Sequence, residues 1–111
     1  MSEVICRLDQ LAERECREFE WSAGGEVVAA FLLRMGEGVV AYRNRCPHTG
    51  APLNWYPDQF LTLEQEYIQC ALHGALFRLE DGFCVHGPCS GDSLQSIELI
   101  EEAGVISIKH R

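Results

Sequence analysis

Two short stretches decide how this sequence is interpreted: Cys46-Pro47-His48-Thr49-Gly50 and Cys70-Ala71-Leu72-His73-Gly74. Each supplies one cysteine and one histidine and ends in a glycine, and 21 residues separate His48 from Cys70. Thiolate and imidazole groups bind iron and zinc in proteins. Glycine after each histidine permits a tight turn and a close approach of the backbone. We therefore predict a metal centre with four ligands, Cys46, His48, Cys70 and His73.

Two cysteines and two histidines could hold either a zinc ion or an iron–sulfur cluster. Zinc sites commonly use pairs separated by two to four residues, and the single residue between Cys46 and His48 is too short for that pattern. In a cluster with two irons, the cysteines would bind one iron and the histidines the other. The spacing favours the cluster, and a zinc-stabilised interaction module is the less favoured alternative.

The paired motifs resemble the ligand loops of the Rieske 2Fe-2S family, and residues 44–94 carry the match. Residues 81–89, which include Gly87-Pro88, resemble the family's third loop, where a Gly-Pro pair covers the cluster. The resemblance implies one 2Fe-2S cluster per chain, with Cys46 and Cys70 on one iron and His48 and His73 on the other. It also implies that Leu53 packs beside the cluster.

The residues around the two motifs predict a low reduction potential. High-potential respiratory members of the family join their ligand loops by a disulfide, but the comparable positions here are Ala51 and Ala71 or Leu72. Those members also place a serine and a tyrosine hydroxyl near the cluster, where this chain has Ala75 and Phe77. Fewer donors to the sulfurs stabilise the reduced cluster less, so we expect a potential near the low end of the range of about −150 to +300 mV.

Low potential and small size resemble the soluble Rieske ferredoxins, which pass electrons from a reductase to an oxygenase or another oxidoreductase. The alternative is a fixed Rieske-like small subunit of a larger oxidoreductase, such as a nitrite reductase. The sequence lacks an activated nucleophile and a nucleotide-binding glycine fingerprint, so the chain on its own is not expected to be an enzyme. The expected partners are a reductase and an acceptor oxidoreductase.

Composition narrows the choice of partners and compartment. Seventeen acidic and nine basic residues give a net charge of −8, which would repel nucleic acid and anionic membranes. The longest apolar run, residues 27–33, is far shorter than the roughly 20 residues that span a bilayer. The first residues do not resemble a secretory signal, so we predict a cytoplasmic protein whose cysteines bind metal or lie buried rather than forming disulfides.

Apolar alternation predicts an all-β fold. The chain of 111 residues is expected to form one domain, 1–111. All four prolines and four of the six cysteines fall between residues 44 and 93, which indicates loop-built chain. We predict a Rieske-like antiparallel β-sandwich or barrel base, with a cluster-binding subdomain at about 44–93 inserted between strands. The expected strands are residues 3–8, 15–21, 26–34, 38–43, 94–100 and 104–109.

Several other side chains allow more than one interpretation. A helix, if one forms, is expected at 58–65, and residues 55–66 are expected to form a surface loop that includes Trp55 as a docking candidate. Cys84 and Cys89 are expected to lie buried beside the cluster, in preference to a second metal pair or a redox disulfide. The remaining assignments place Cys6 and Cys16 in the core, His86 and His110 at the surface, and Glu13, Glu15, Glu18 and Glu20 in solvent.

Overall fold

The structure is a computed structural model that describes residues 2–47, 49–54, 56–71 and 74–109. Apart from one 3-10 turn at Leu8–Gln10, its regular elements are β-strands. No helix in these residues is long and apolar enough to cross a membrane. The strands are β1 (Ser2–Arg7), β2 (Cys16–Ala23), β3 (Glu26–Met35), β4 (Gly38–Arg43), β5 (Tyr67–Gln69), β6 (Leu76–Arg78), β7 (Cys84–His86), β8 (Leu99–Glu102) and β9 (Val105–Lys109).

These strands form three antiparallel sheets of three strands each. The base sheet has the order β1-β9-β8, the central sheet β2-β3-β4 and the site sheet β5-β6-β7. The site sheet and its loops lie in the sequence between β4 and β8, so they form an insertion between strands of the other two sheets. The predicted all-β antiparallel fold with an inserted loop-built region is confirmed.

Strand β3 of the central sheet is buried on both faces at residues 30–33, where successive side chains point to opposite sides. Phe31 and Leu33 of β3 pack into an apolar cluster with the inserted loops and the site sheet. Leu32, between them, packs with Ile106 of the base sheet. A strand covered on both sides carries consecutive apolar residues rather than an alternating pattern, which accounts for the run Phe31-Leu32-Leu33.

The closing segment differs from its predicted form. Residues 94–100 were expected to be one strand, but β8 begins only at Leu99. The residues before it contact the edge of β4 instead, through a single bridge between Tyr42 and Ser96 and a hydrogen bond from the Ile97 amide to the Ala41 carbonyl (2.9 Å). The chain thus leaves the central sheet and enters the base sheet within a few residues, which limits the length of each pairing.

No helix forms at 58–65, the stretch named as the likeliest exception to the all-β fold. Asp58 and Gln65 both have positive φ angles (60° and 58°), which a right-handed helix cannot contain. The segment is a surface loop, where Leu63 is 98% exposed, and it is anchored by Phe60, whose ring stacks on Phe31 with centroids 4.0 Å apart. Trp55 lies outside the described residues.

The loop is also joined to β2 by a reciprocal pair of hydrogen bonds. The Glu18 amide donates to the Asp58 carboxylate (2.7 Å), and the Asp58 amide donates to the Glu18 carboxylate (2.8 Å). Glu13 likewise accepts a hydrogen bond from the Gly36 amide (2.7 Å). Glu15 also accepts a hydrogen bond from a backbone amide, that of Ala12 (2.9 Å). Three members of the acidic run therefore bind backbone amides while staying exposed or half-exposed, a role that the expectation of simple solvation did not include.

Candidate metal centre

The first candidate ligand loop begins where β4 ends, and backbone hydrogen bonds close it into a compact turn. The Cys46 amide donates to the Ala51 carbonyl (2.8 Å), and the Gly50 amide donates back to the Cys46 carbonyl (2.8 Å). Gly50 has a φ of 77°, a conformation that favours glycine. The Cys46 side chain is buried, with 1% of its surface exposed.

The second loop repeats the same hydrogen-bond pattern after β5. The Cys70 amide donates to the Ala75 carbonyl (2.9 Å), and the Gly74 amide donates to the Cys70 carbonyl (2.9 Å). Gly74 has a φ of 70°, and Cys70 is fully buried. In each loop the cysteine bonds to the residue five positions later and the glycine to the cysteine four positions earlier. The described backbone of the two loops is therefore equivalent in these two hydrogen bonds, although the sequence separates cysteine from histidine differently in each.

The glycine amides close the two ligand loops. The Gly50 and Gly74 amides donate to the cysteine carbonyls of their own loops, which fixes the shape of each loop.

A direct backbone contact joins the two loops. The Ala71 amide of the second loop donates to the Leu53 carbonyl of the first (2.7 Å). The Leu53 side chain is fully buried in the same apolar cluster as Cys46 and Cys70. The Asn44 side chain fixes the other side of this segment, since its Oδ1 accepts from the Leu53 amide (2.7 Å). Leu53 and Asn44 thus hold the two cysteine loops against each other.

The third loop, which follows β7, contacts both of the others. A Cβ placed on Gly87 would lie 2.9 Å from the Cα of Ala75, so this glycine packs directly on the backbone that ends the second loop. Cys89 is buried (1% exposed), and its Sγ lies 3.6 Å from the Sγ of Cys46 in the first loop. The predicted third loop therefore packs on the two ligand loops.

The other predicted cysteines and histidines are only partly described. Cys84 is a buried thiol, so it forms no disulfide with Cys89, and Cys6 and Cys16 lie in the core as predicted. His86 is exposed, as expected. The proposed ligands His48 and His73, and also His110, lie outside the described residues.

A buried tyrosine connects the central sheet to the site sheet. The Tyr42 hydroxyl donates to the Leu79 carbonyl (2.7 Å), just after β6. Burial raises the pKa of this hydroxyl, and the nearby Asp81 and Glu80 carboxylates raise it further. Tyr42 therefore stays a neutral donor and holds the β6–β7 hairpin, which leads into the third loop.

The chemistry of this arrangement follows from its donor atoms. Two equivalent loops bring one buried cysteine each into a common apolar cluster, and thiolates are the ligands that iron–sulfur clusters require. Cys46 and Cys70 therefore fit that group. Sequence reasoning did not identify Asn44 or the contact between Cys89 and Cys46. A polar residue directly after an apolar strand was the available signal for Asn44.

Comparison with known proteins identifies the family. The Rieske [2Fe-2S] domain matches residues 2–101 of this chain. The cofactor of this family is a [2Fe-2S] cluster, so the predicted cofactor is confirmed. The Rieske iron–sulfur subunit of the cytochrome bc1 complex of Streptomyces lividans is 30% identical over 97 residues, covering 86% of this chain and 46% of that subunit. The chain thus spans less than half the length of that relative.

Solved structures show the same fold at lower sequence identity. The ferredoxin of carbazole 1,9a-dioxygenase from Nocardioides aromaticivorans IC177 superimposes with a TM-score of 0.73 at 22% identity, covering 100% of this chain and 99% of the ferredoxin. The terminal oxygenase of the same dioxygenase and organism gives a TM-score of 0.71 at 24% identity, covering 99% of this chain but 30% of the oxygenase. With its two equivalent cysteine loops and a match over residues 2–101, the chain belongs to the Rieske [2Fe-2S] domain family.

Proposed function

We propose that this protein is a Rieske ferredoxin that carries electrons from a reductase to an oxygenase or another oxidoreductase. The observation that carries the proposal is the pair of equivalent loops, which bring two buried cysteines together at the junction of three loops. The cluster, when bound, accepts and returns one electron. Support for the shuttle role comes from the ferredoxin of carbazole 1,9a-dioxygenase, whose whole length corresponds to this chain.

We propose Cys46, His48, Cys70 and His73 as the cluster ligands. The shared hydrogen-bond pattern of the Cys46 and Cys70 loops supports the part of these two cysteines in the set. The two histidines follow from the motif, each within three residues of its cysteine. Neutral imidazoles on one iron make it the better electron acceptor.

The residues around the second loop favour a low potential. Ala75 and Phe77 are fully buried and offer no hydroxyl to the cluster. Hydrogen bonds to cluster sulfurs stabilise the more negative reduced state, so their absence at these two positions lowers the potential. A low-potential donor is suited to delivering electrons to an oxygenase.

A fixed subunit or domain of a larger oxidoreductase is the second candidate. The observation that favours it is the likeness to the terminal oxygenase, in which a region of this size is 30% of a longer chain. Purification under native conditions separates the two candidates. A shuttle elutes alone, whereas a fixed subunit elutes with a large partner.

Three further proposals concern organisation, location and partners. Residues 1–111 form one Rieske domain, with a cluster-binding part at about 44–93. The core that the central sheet shares with the inserted loops supports a single domain. We also propose a cytoplasmic location. Its partners are a reductase and an acceptor protein, and its net charge of −8 favours basic docking surfaces on both.

The test is anaerobic purification followed by iron and sulfide analysis and electron paramagnetic resonance of the dithionite-reduced protein. The proposal predicts a rhombic Rieske signal and equal iron and sulfide, as a [2Fe-2S] cluster contains. Cys46→Ala, His48→Ala, Cys70→Ala and His73→Ala should each abolish the signal, and Cys84→Ala serves as the control because its buried thiol is not a proposed ligand. A colourless protein that contains zinc would contradict the proposal.

A further inference from the structure

Cys89 contacts a proposed ligand although no ligand motif contains it. Its Sγ lies 3.6 Å from the Sγ of Cys46, and both side chains are buried. A disulfide would require about 2.05 Å between the sulfurs, so the two cysteines are not covalently bonded. The distance is that of a hydrogen bond between sulfur atoms, in which either atom could be the donor.

The third loop holds Cys89 in this position from both sides. On one side Gly87 packs against the backbone of Ala75. On the other, the Asp92 amide donates to the Cys89 carbonyl (2.8 Å), and the Ser90 hydroxyl donates to the Gly87 carbonyl (2.8 Å). Because the backbone on either side of Cys89 is fixed, its contact with Cys46 follows from the fold of the loop.

We propose that Cys89 is a positioning residue that raises the reduction potential of the cluster by donating an S–H···S hydrogen bond to the Cys46 sulfur. The inference rests on the proposed ligation by Cys46. A cysteine that binds iron does so as a thiolate and has no proton to donate, so ligation makes Cys46 the acceptor and Cys89 the donor. The added electron increases the negative charge on the cluster and its ligand sulfurs, and a donor to one of those sulfurs stabilises the reduced state.

The Cys89 thiol approaches from a different direction than the serine and tyrosine hydroxyls of high-potential family members, whose positions are Ala75 and Phe77 in this chain. Ala75 directly precedes β6 and Phe77 lies within it, whereas Cys89 approaches the first loop from the third. The third loop therefore supplies one hydrogen-bond donor to a site that lacks the two hydroxyl donors at positions 75 and 77. The potential is consequently expected to fall further when the Cys89 thiol is removed.

The experiment compares Cys89→Ala and Cys89→Ser with Cys84→Ala in the cluster-loaded protein. Cys84 is a matched control because it is equally buried (1% exposed), but its thiol donates to the His86 carbonyl (3.3 Å) rather than to a proposed ligand. The measurement is the midpoint potential from a redox titration followed by electron paramagnetic resonance, with iron content determined for each variant. We expect Cys89→Ala to shift the potential downward, Cys89→Ser to keep it at or above that of the parent, and Cys84→Ala to leave it unchanged.

Several results would overturn the inference. Equal potentials in all variants would show that the contact has no effect on the cluster. Equal downward shifts in Cys89→Ala and Cys84→Ala, or a shift in Cys89→Ser as large as in Cys89→Ala, would attribute the effect to packing. Loss of iron from both Cys89 variants alone would make Cys89 a ligand. A parent protein without iron and sulfide would instead refute the proposed function, so the two failures are distinguishable.

Discussion

Gly87→Ala should be markedly more destabilising than Gly91→Ala, although the two glycines share a loop and have similar φ angles. Their φ angles are 98° and 95°, so an alanine at either position pays about 1–2 kcal/mol for a left-handed backbone. Replacing glycine also reduces the conformational entropy of the unfolded chain, which offsets this loss of stability by about 0.4–1 kcal/mol. The net loss for Gly91→Ala, where no atom lies within 4 Å of the new Cβ, is therefore about 1 kcal/mol.

At Gly87 the new Cβ would in addition lie 2.9 Å from the Cα of Ala75, and backbone cannot move aside as a flexible side chain can. Overpacking of this kind costs about 1–3 kcal/mol, which brings the loss for Gly87→Ala to about 2–4 kcal/mol. The assay is thermal unfolding of the cluster-loaded proteins under argon, followed by circular dichroism and visible absorbance at one heating rate. Gly87→Ala should melt several degrees below Gly91→Ala and lose its visible bands first. Equal melting temperatures would refute the close packing of the third loop on the second.

Three further predictions concern the residues that support the site. Tyr42→Phe leaves the buried Leu79 carbonyl without its donor and should lower the unfolding free energy by about 1–3 kcal/mol in denaturant titrations; an unchanged midpoint would contradict the hydrogen bond. Asn44→Ala removes the acceptor of the Leu53 amide and should speed the loss of iron to a chelator, whereas a parental rate would show that the first loop is held without it. Burial raises the pKa of the Cys16 thiol to about 12, and the nearby Asp58 and Glu15 carboxylates contribute to this rise. The folded state therefore holds the thiol proton more tightly than the unfolded state. The free energy of unfolding should accordingly fall as pH rises from the ordinary thiol range to about 12. Cys16→Ala should make this dependence on pH weaker. An unchanged pH dependence in the variant would exclude Cys16 as its source.

The strands of the base and central sheets could be predicted from sequence because their apolar patterns depend on local alternation. Turns at Gly24-Gly25 and at Gly36 join β2, β3 and β4, and glycines between apolar runs are a local signal for such turns. The cysteine loops could likewise be predicted, since in each a glycine four residues after the cysteine, with a histidine between them, indicates a turn with two potential ligands.

What the sequence could not predict depends on contacts between distant segments. The segment 58–65 has helix-compatible residues, but Phe60 is stacked on Phe31 of the central sheet, and Asp58 is bonded to Glu18 of β2. These tertiary contacts select a loop over a helix. The resemblance of residues 81–89 to the family's third loop implied that Cys89 lies near the cluster. Its contact with the Cys46 sulfur joins residues 43 positions apart and depends on how this loop packs, so no local pattern predicts it.

The strand order of the base sheet has a consequence for folding. Strand β1 pairs only with β9 among the described strands, with Ser2 opposite Lys109, whereas the central sheet is built from hairpins between neighbours in sequence. Contacts between residues so far apart form late, since a long loop must close before they contribute any stability. A ribosome synthesises β1 first and β9 last, so the base sheet can be completed only after the whole site region has emerged. The cysteine loops would therefore be available for cluster insertion before the final strand closes the fold.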